Sequence, residues 1–322
     1  MTAVPAPTAT GRNPNTVRAR NRRELILLSA FLAATWAVTA VISPRFLNPA
    51  NLRDILVLAT PLAFVVIGQM MVIIVRGLDL SVASIMATVA VLAIGFGDNV
   101  AAIMALGLVL GAALGAVNGW LVAFRGVTPF LATLASMIVL QGVRFAYTGG
   151  APSGTLPEGL RWLATGRIAE IPVSLFLLAA VAFAAHWMLE RTMIGRQMKL
   201  YGVNPAASRM TGAPVRLLVM LAFILSGVMA ALAGLVLVGY VGIVDNWTGR
   251  GYDLDSIAAA VIGGAALSGG RGSVPGVLLA TLILVSLFNI VVILGLSIEW
   301  QLVIKGTLII LAAVVYMSRS QR

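Results

Sequence analysis

Ten apolar stretches occupy most of the chain: Glu24–Ser43, Arg53–Val75, Leu80–Gly97, Val100–Phe124, Pro129–Tyr147, Pro172–Glu190, Arg216–Tyr240, Asp255–Leu267, Pro275–Leu296 and Ile298–Met317. A helix needs about 20 mostly apolar residues to cross a bilayer. Apolar residues make up 60% of the 322 positions and charged ones 10%, too few polar groups to cover a soluble globule of that size. The expected fold is an all-α polytopic membrane protein of about ten helices, the third and eighth short or interrupted.

Net charge is +11, which in a soluble domain suggests nucleic acid. Here the basic residues sort by side. With the N-terminus cytoplasmic, Arg12, Arg18, Arg20, Arg22, Arg23, Arg76, Arg125, Arg191, Arg196, Lys199, Arg209, Arg216, Arg271, Arg319 and Arg322 fall inside, whereas Arg45, Arg53, Arg161, Arg167 and Arg250 fall outside. That asymmetry follows the positive-inside rule and places both termini in the cytoplasm. The charge reports topology, and no nucleic-acid partner is expected.

Residues 1–23, with Pro5, Pro7, Gly11 and Pro14 ahead of a cluster of arginines, read as a disordered cytoplasmic tail, and 24–322 as one transmembrane domain. A signal peptide competes for the first span, but the apolar run is too long and lacks a small-residue cleavage site before Pro44. Segment 148–171, punctuated by Gly149, Gly150, Pro152, Gly154, Pro157 and Gly159, is the largest loop on the outer side. It suits either a connector or part of a surface for an extracytoplasmic partner. With no cysteine, disulfides, thiolate metal sites and cysteine nucleophiles are ruled out.

Arg76-Gly77-Leu78-Asp79-Leu80 recurs as Arg250-Gly251-Tyr252-Asp253-Leu254, each copy just before a short helix and on opposite sides of the membrane. Reversed orientation is what inverted-topology repeats produce, with helices 2–5 and 7–10 as halves. A carboxyl group at the depth of Asp79 costs roughly 2.5 to 3.5 kcal/mol on insertion scales unless it faces water or protein. Two readings stand: Asp79 and Ser81 line a translocation path at a broken helix, or Asp79 caps the orphan amides of the third helix. Asp253 and Asp255 fit the cap reading better. Gln69, Asn118, Thr133, Gln141 and Asn289 are the other polar side chains within spans, as helix glue or as cavity lining. Gly107, Gly111, Gly115 and Gly119 form a close-packing stripe on the fourth helix, repeated more weakly by Ser226, Ala230 and Gly234 on the seventh.

The glycines around Gly263-Gly264 and Gly269–Ser273 lack the lysine and hydroxyl of a P-loop and read as a tight turn. His186, the only histidine, reads as packing. Segment 191–215 is the one long basic polar stretch between spans. Within it Asn204 suits an N-cap, Pro205 the first helical turn and Gly212 the stop. Its basic flanks also suit lipid headgroups. A membrane protein without its own nucleotide loop, carrying a short helix on a basic face, reads as the channel half of a pump driven by a separate ATPase.

Several stretches resemble one family. They are Gly77–Val82, Gly119–Val122, Thr128–Leu134, Gly195-Arg196, Gly202–Ala207 with Arg209 and Gly212, Gly251–Ala258, Gly263-Gly264 and Leu267–Ser273. Together they are similar to the membrane subunits of ABC importers for simple sugars, the ribose, xylose and autoinducer-2 type. Arg76 and Ala83 stand where the family commonly has glycine. The resemblance implies a permease of a bacterial inner membrane for a monosaccharide or related polyol, and no enzyme. It implies a dimer with a second copy or paralogue, a cytoplasmic ATPase that uses the ATP, and a periplasmic sugar-binding protein. Gly202, Asn204, Pro205, Ala206, Ala207, Arg209 and Gly212 would form the ATPase-coupling segment. The substrate path would draw on Gln69, Asp79, Ser81, Asn118, Thr133 and Asn289. No cofactor or metal is expected on this chain. Permeases for branched-chain amino acids or urea are the alternative within the class. An ion-coupled carrier or a membrane-embedded enzyme for lipid-linked substrates would need several intramembrane or clustered carboxylates, and the acidic residues here are scattered.

Overall fold

The computed structural model describes residues 14–95, 99–152, 154–297, 299–300, 302–303 and 306–307. Its helices are α1 (Pro14–Ile42), α2 (Pro49–Ile74), α3 (Val82–Ala93), α4 (Val100–Ala123), α5 (Pro129–Thr148), α6 (Glu158–Thr165), α7 (Val173–Arg191), α8 (Met193–Val203), α9 (Pro205–Met210), α10 (Val215–Val241), α11 (Tyr252–Ile262) and α12 (Val274–Ile293). The only strands among the described residues are β1 (Arg167–Ile168) and β2 (Ile171–Pro172), a short antiparallel pair. The protein is an all-α polytopic membrane protein. Among the described residues seven helices are long and apolar enough to cross a membrane: the part of α1 from Arg22, and α2, α4, α5, α7, α10 and α12. The third and eighth expected spans are the short α3 and α11, and the tenth lies largely outside the described residues.

Local chemistry sets the helix starts. Asn48, Asn99, Thr192, Asn204 and Ser273 each accept a backbone N–H of the first turn of α2, α4, α8, α9 and α12, which satisfies donors that have no intrahelical partner. Pro49, Pro129 and Pro205 open their helices where a missing N–H is harmless. Helix α1 begins at Pro14, so residues 14–23, expected as irregular tail, are helical. Arginine is a good helix former, and nothing after Pro14 interrupts the run into the span. Residues 1–13 of that tail lie outside the described residues.

Burial separates centre from periphery. The apolar windows of α2 and α10 are 94% and 78% buried, against 6% for α1 and 22% for each of α4, α5 and α7. Helices α2 and α10 therefore form the axis, and the outer helices present side chains such as Val41, Val109, Ile138 and Phe183 outward, as a lipid-facing surface requires. The glycine stripe of α4 lies directly on α10. A Cβ added at Gly111 would sit 2.4 Å from the Gly227 carbonyl oxygen, and one at Gly115 would sit 2.3 Å from that of Phe223. The Ser226, Ala230 and Gly234 stripe faces the other way: a Cβ at Gly68 would meet the Ser226 Cα at 2.9 Å, and one at Gly234 the Met86 carbonyl at 2.5 Å. Two small-residue faces thus let α10 touch α4 on one side and α2 and α3 on the other.

The two ends of the bundle differ. One gathers the end of α2, the end of α4, α8, α9, the start of α10 and the glycine turn before α12, through Gly270 N–H to the Ile74 carbonyl (2.8 Å) and Arg216 over the Phe124 ring (5.8 Å). The other gathers the ends of α5 and α10 with α6 and the β1–β2 pair, through Arg53 to Glu170 (3.4 Å) and Asn246 to Thr148 (3.0 Å). Segment 148–171 packs into that end: Leu160 and Ala164 of α6 are fully buried against α10, where a Cβ at Gly239 would lie 2.3 Å from the Leu160 carbonyl.

Candidate functional site

Helix α2 stops at Ile74, at the α8 end of the bundle, and the chain then turns back inward. The Gly77 N–H bonds the Val72 carbonyl at 2.8 Å and the Arg76 N–H the Ile73 carbonyl at 2.9 Å, the reciprocal pair of a Schellman stop. That motif puts its penultimate residue in the left-handed region, where glycine is usual. Here the residue is Arg76, at φ 66°, which costs about 1 to 2 kcal/mol relative to an ordinary backbone. Residues 78–81 then run without regular structure to α3.

An irregular segment at membrane depth needs every backbone group satisfied from within the protein. Gln69 does this for Asp79: its amide, oriented to suit both, donates to the Asp79 carbonyl at 3.0 Å and accepts the Asp79 N–H at 3.2 Å. Thr133 donates to the Pro129 carbonyl of its own helix at 2.9 Å and reaches the Leu78 carbonyl at 3.3 Å. The Asp79 carboxyl group in turn accepts from the Ser81 N–H (3.0 Å), the Ser81 hydroxyl and the Ser226 hydroxyl (2.8 Å). Asn118 donates to Ser81 Oγ at 2.8 Å and accepts from Ser136.

The result is one polar knot joining α2, α3, α4, α5 and α10. Gln69, Asp79, Ser81, Asn118, Thr133 and Ser226 are all sealed from solvent. The Asp79 carboxyl group therefore meets the Ser81 N–H, one residue ahead of α3, and no first-turn amide of that helix, while both of its oxygens are engaged by Ser81 and Ser226. Ser226 lies eleven residues into α10, about 16 Å along its axis, which places the knot well inside the bundle. Asn289 is not part of it. Its side chain forms a reciprocal amide pair with Asn51 (2.8 and 3.3 Å) at the α6 end, between α12 and α2.

The basic segment folds as two helices. In α8, Thr192 caps the start; in α9, the Asn204 side chain accepts the Ala207 N–H at 3.0 Å, Pro205 takes the first position and Gly212 follows at φ 71°. Ala206, Arg209 and Met210 are exposed, Met210 by 89%, whereas Gly202 and Ser208 are buried. Gly202 is buried because a Cβ there would lie 2.0 Å from the Ile74 carbonyl oxygen and 2.1 Å from the Gly270 N. The end of α8 is thus pressed against the end of α2.

A family model described as "Branched-chain amino acid transport system / permease component" matches residues 51–313. The chain belongs to this permease family. It is 37% identical over 286 residues to the ribose import permease protein RbsC of Escherichia coli (strain K12), covering 87% of this chain and 89% of that one. It is 32% identical over 293 residues to the galactose/methyl galactoside import permease protein MglC of the same organism, with 84% and 87% covered. With the autoinducer 2 import system permease protein LsrC of Enterobacter sp. (strain 638) it shares 33% over 289 residues, 88% and 84% covered. The protein is a transport subunit and not an enzyme.

Three buried or half-buried polar side chains had little or no mark in the sequence. Ser136 carried no signal, and Ser226 was visible only as a small residue in a packing stripe. Arg144, on α5, is 4% exposed, with Nη1 donating to the Ser84 carbonyl (3.0 Å) and Thr88 Oγ (3.2 Å) and Nη2 to the Asn246 carbonyl (3.1 Å). A basic residue inside an apolar span was the available clue. Asp253 and Asp255 lie in the first turn of α11, where acidic groups complement the helix N-terminus. His186 is exposed on α7.

Proposed function

We propose that the chain is the membrane-spanning subunit of an ATP-driven importer for a monosaccharide or related polyol, in a bacterial inner membrane. The observation that carries this reading is similarity over more than four fifths of the chain to import permeases whose names give ribose, galactose and autoinducer 2 as cargo. Those cargoes favour a polyol over branched-chain amino acids or urea, despite the family's description. An ion-coupled carrier finds less support, since Asp79 is held by hydroxyl and amide donors inside the knot.

The end carrying α8 and α9 is assigned to the cytoplasm. It collects Arg76, Arg125, Arg191, Arg196, Lys199, Arg209, Arg216 and Arg271, which is the inside pattern of charge. In this reading both termini lie on that side and the chain crosses the membrane ten times. The related pentapeptides at 76–80 and 250–254 lie toward opposite ends of the bundle, in keeping with inverted halves of helices 2–5 and 7–10.

Helix α9, with Asn204, Pro205, Ala206, Ala207, Arg209 and Gly212 and the buried Gly202 behind it, is the docking element for a separate ATPase subunit, which binds and hydrolyses the ATP. Two permease chains, identical or paralogous, would pair with two ATPases and receive cargo at the α6 end from a periplasmic binding protein. The substrate path runs beside the α2–α3 break. There Gln69, Asp79, Ser81, Asn118 and Thr133 hold the break in place, and Asn289 holds the outer end of α12 to α2. Purification of the tagged protein in mild detergent from native membranes, followed by mass spectrometry, tests the assembly. An ATP-binding subunit near one-to-one stoichiometry supports it, and none after cross-linking refutes it.

A further inference from the structure

We infer that Arg76 is a positioning residue that ties the docking segment to the break in the transmembrane helix, so that movement of α9 is delivered to residues 77–81. The inference rests on the importer reading and assigns a residue to its transmission step.

Four observations meet at this side chain. Arg76 Nε donates to the Gly202 carbonyl at 2.7 Å and Nη2 to the Val203 carbonyl at 3.1 Å. These are the last carbonyls of α8, which lack intrahelical donors and which a cation at a helix C-terminus satisfies well. Arg76 holds a left-handed backbone, φ 66°, a conformation that a residue with a Cβ adopts at a cost. The contact it makes is one that glycine, the residue best suited to that backbone, cannot make. The surrounding fit leaves little slack: Gly270 N–H bonds the Ile74 carbonyl at 2.8 Å, and a Cβ at Gly269 would meet Arg76 Cγ at 2.5 Å. Finally, the carbonyls that Arg76 holds belong to the residues immediately before Asn204, the cap of α9, while Asp79 is three residues beyond Arg76 in the other direction.

The joint is also directional in its chemistry. Two parallel donors of one planar guanidinium fix both distance and orientation of the end of α8, which a single ammonium donor does not. A displacement of α9 therefore pulls on the start of the break through a bidentate contact of a few ångströms, with no intervening flexible loop.

Because the chain has no cysteine, a single one reports on the break. Leu80→Cys, at a half-buried position beside Asp79, is labelled with an environment-sensitive fluorophore in the complex purified with its ATPase, and the emission is compared with and without MgATP and vanadate. Arg76→Gly suits the left-handed backbone and is expected to fold and to retain the ATPase subunit, while its nucleotide-dependent emission change falls at least about fivefold. Arg76→Lys, with one donor site, restores part of the change. An Arg76→Gly protein that keeps the ATPase and the full response overturns the tether alone. One that loses the ATPase makes Arg76 a docking or folding element, which also overturns it. A parent protein that brings no ATPase with it refutes the importer reading and the tether together.

Discussion

The Ser226 hydroxyl donates to Asp79 Oδ2 at 2.8 Å across 147 positions of sequence, fastening the irregular segment between α2 and α3 to the middle of the longest-buried face of α10. Ser226→Ala removes that donor and leaves a sealed carboxyl oxygen short of a partner, which costs about 1 to 3 kcal/mol. Thermal unfolding of the detergent-solubilised complex is expected to shift downward, and Asp79→Ala to shift it further and lower uptake while the ATPase stays bound. An unchanged midpoint for both variants would show that the knot adds nothing to stability.

At Gly111 and Gly115 the contact between α4 and α10 leaves no room for a side chain on α4. Gly115→Leu drives atoms into the Phe223 carbonyl, 2.3 Å from the added Cβ; overpacking of this kind costs about 1 to 3 kcal/mol, and more where two backbones must part, a large share of a folding margin of about 5 to 15 kcal/mol. Loss of folded protein from membranes is the expected result. Gly142→Ala serves as the comparison, because a Cβ there meets nothing within 4 Å and the change removes a flexible residue from α5, worth about 0.5 to 1 kcal/mol in its favour. Equal yields of the two variants in a fluorescence size-exclusion assay would contradict the packing account.

Helix α9 has six residues, so its shape depends on its ends. Asn204→Ala removes the bond to the Ala207 N–H and costs about 1 kcal/mol; Gly212→Ala strains a backbone at φ 71° by a similar amount. Either is expected to cut ATP-driven sugar uptake several-fold at unchanged membrane level, because the rest of the fold does not lean on these residues. Wild-type uptake in both would remove α9 from the transport step.

Arg144 joins α3, α5 and the segment after α10 through three acceptors: the Ser84 and Asn246 carbonyls and Thr88 Oγ. Truncation to alanine removes the donor to all three in a buried site, although the Ser84 carbonyl keeps the Thr88 hydroxyl at 2.7 Å, and a loss of about 1 to 3 kcal/mol follows. Arg144→Lys, with fewer reachable acceptors, should fall between. The check is the unfolding midpoint of the three proteins side by side; identical values would reject the clamp.

Much of the architecture was readable residue by residue. The apolar runs marked the spans, and Asn204 with Pro205 marked the start of α9 to the residue, because span membership and helix capping are decided by free energies within a few positions. The short third and eighth helices were legible as apolar runs, Leu80–Gly97 and Asp255–Leu267, shorter than a full span. The helical continuation from Pro14 to Arg23 was not, since arginine favours helix and polar tail alike. Segment 148–171 showed glycines and prolines but not the fit of Leu160 beneath α10.

At the site, sequence alone named Gln69, Asp79, Ser81, Asn118 and Thr133 as polar groups that must find partners inside a membrane, and apolar surroundings made that requirement certain. It could not say that these five share one knot, that Asn289 pairs elsewhere with Asn51, or that Ser136 and Ser226 complete the set. Nor could it show Arg76 reaching the carbonyls of Gly202 and Val203, 126 and 127 positions away. The need for a partner follows from the cost of burying one polar group. The choice of partner follows from which helix faces meet, and that is settled only when small residues on α4 and α10 allow two backbones to close to contact distance.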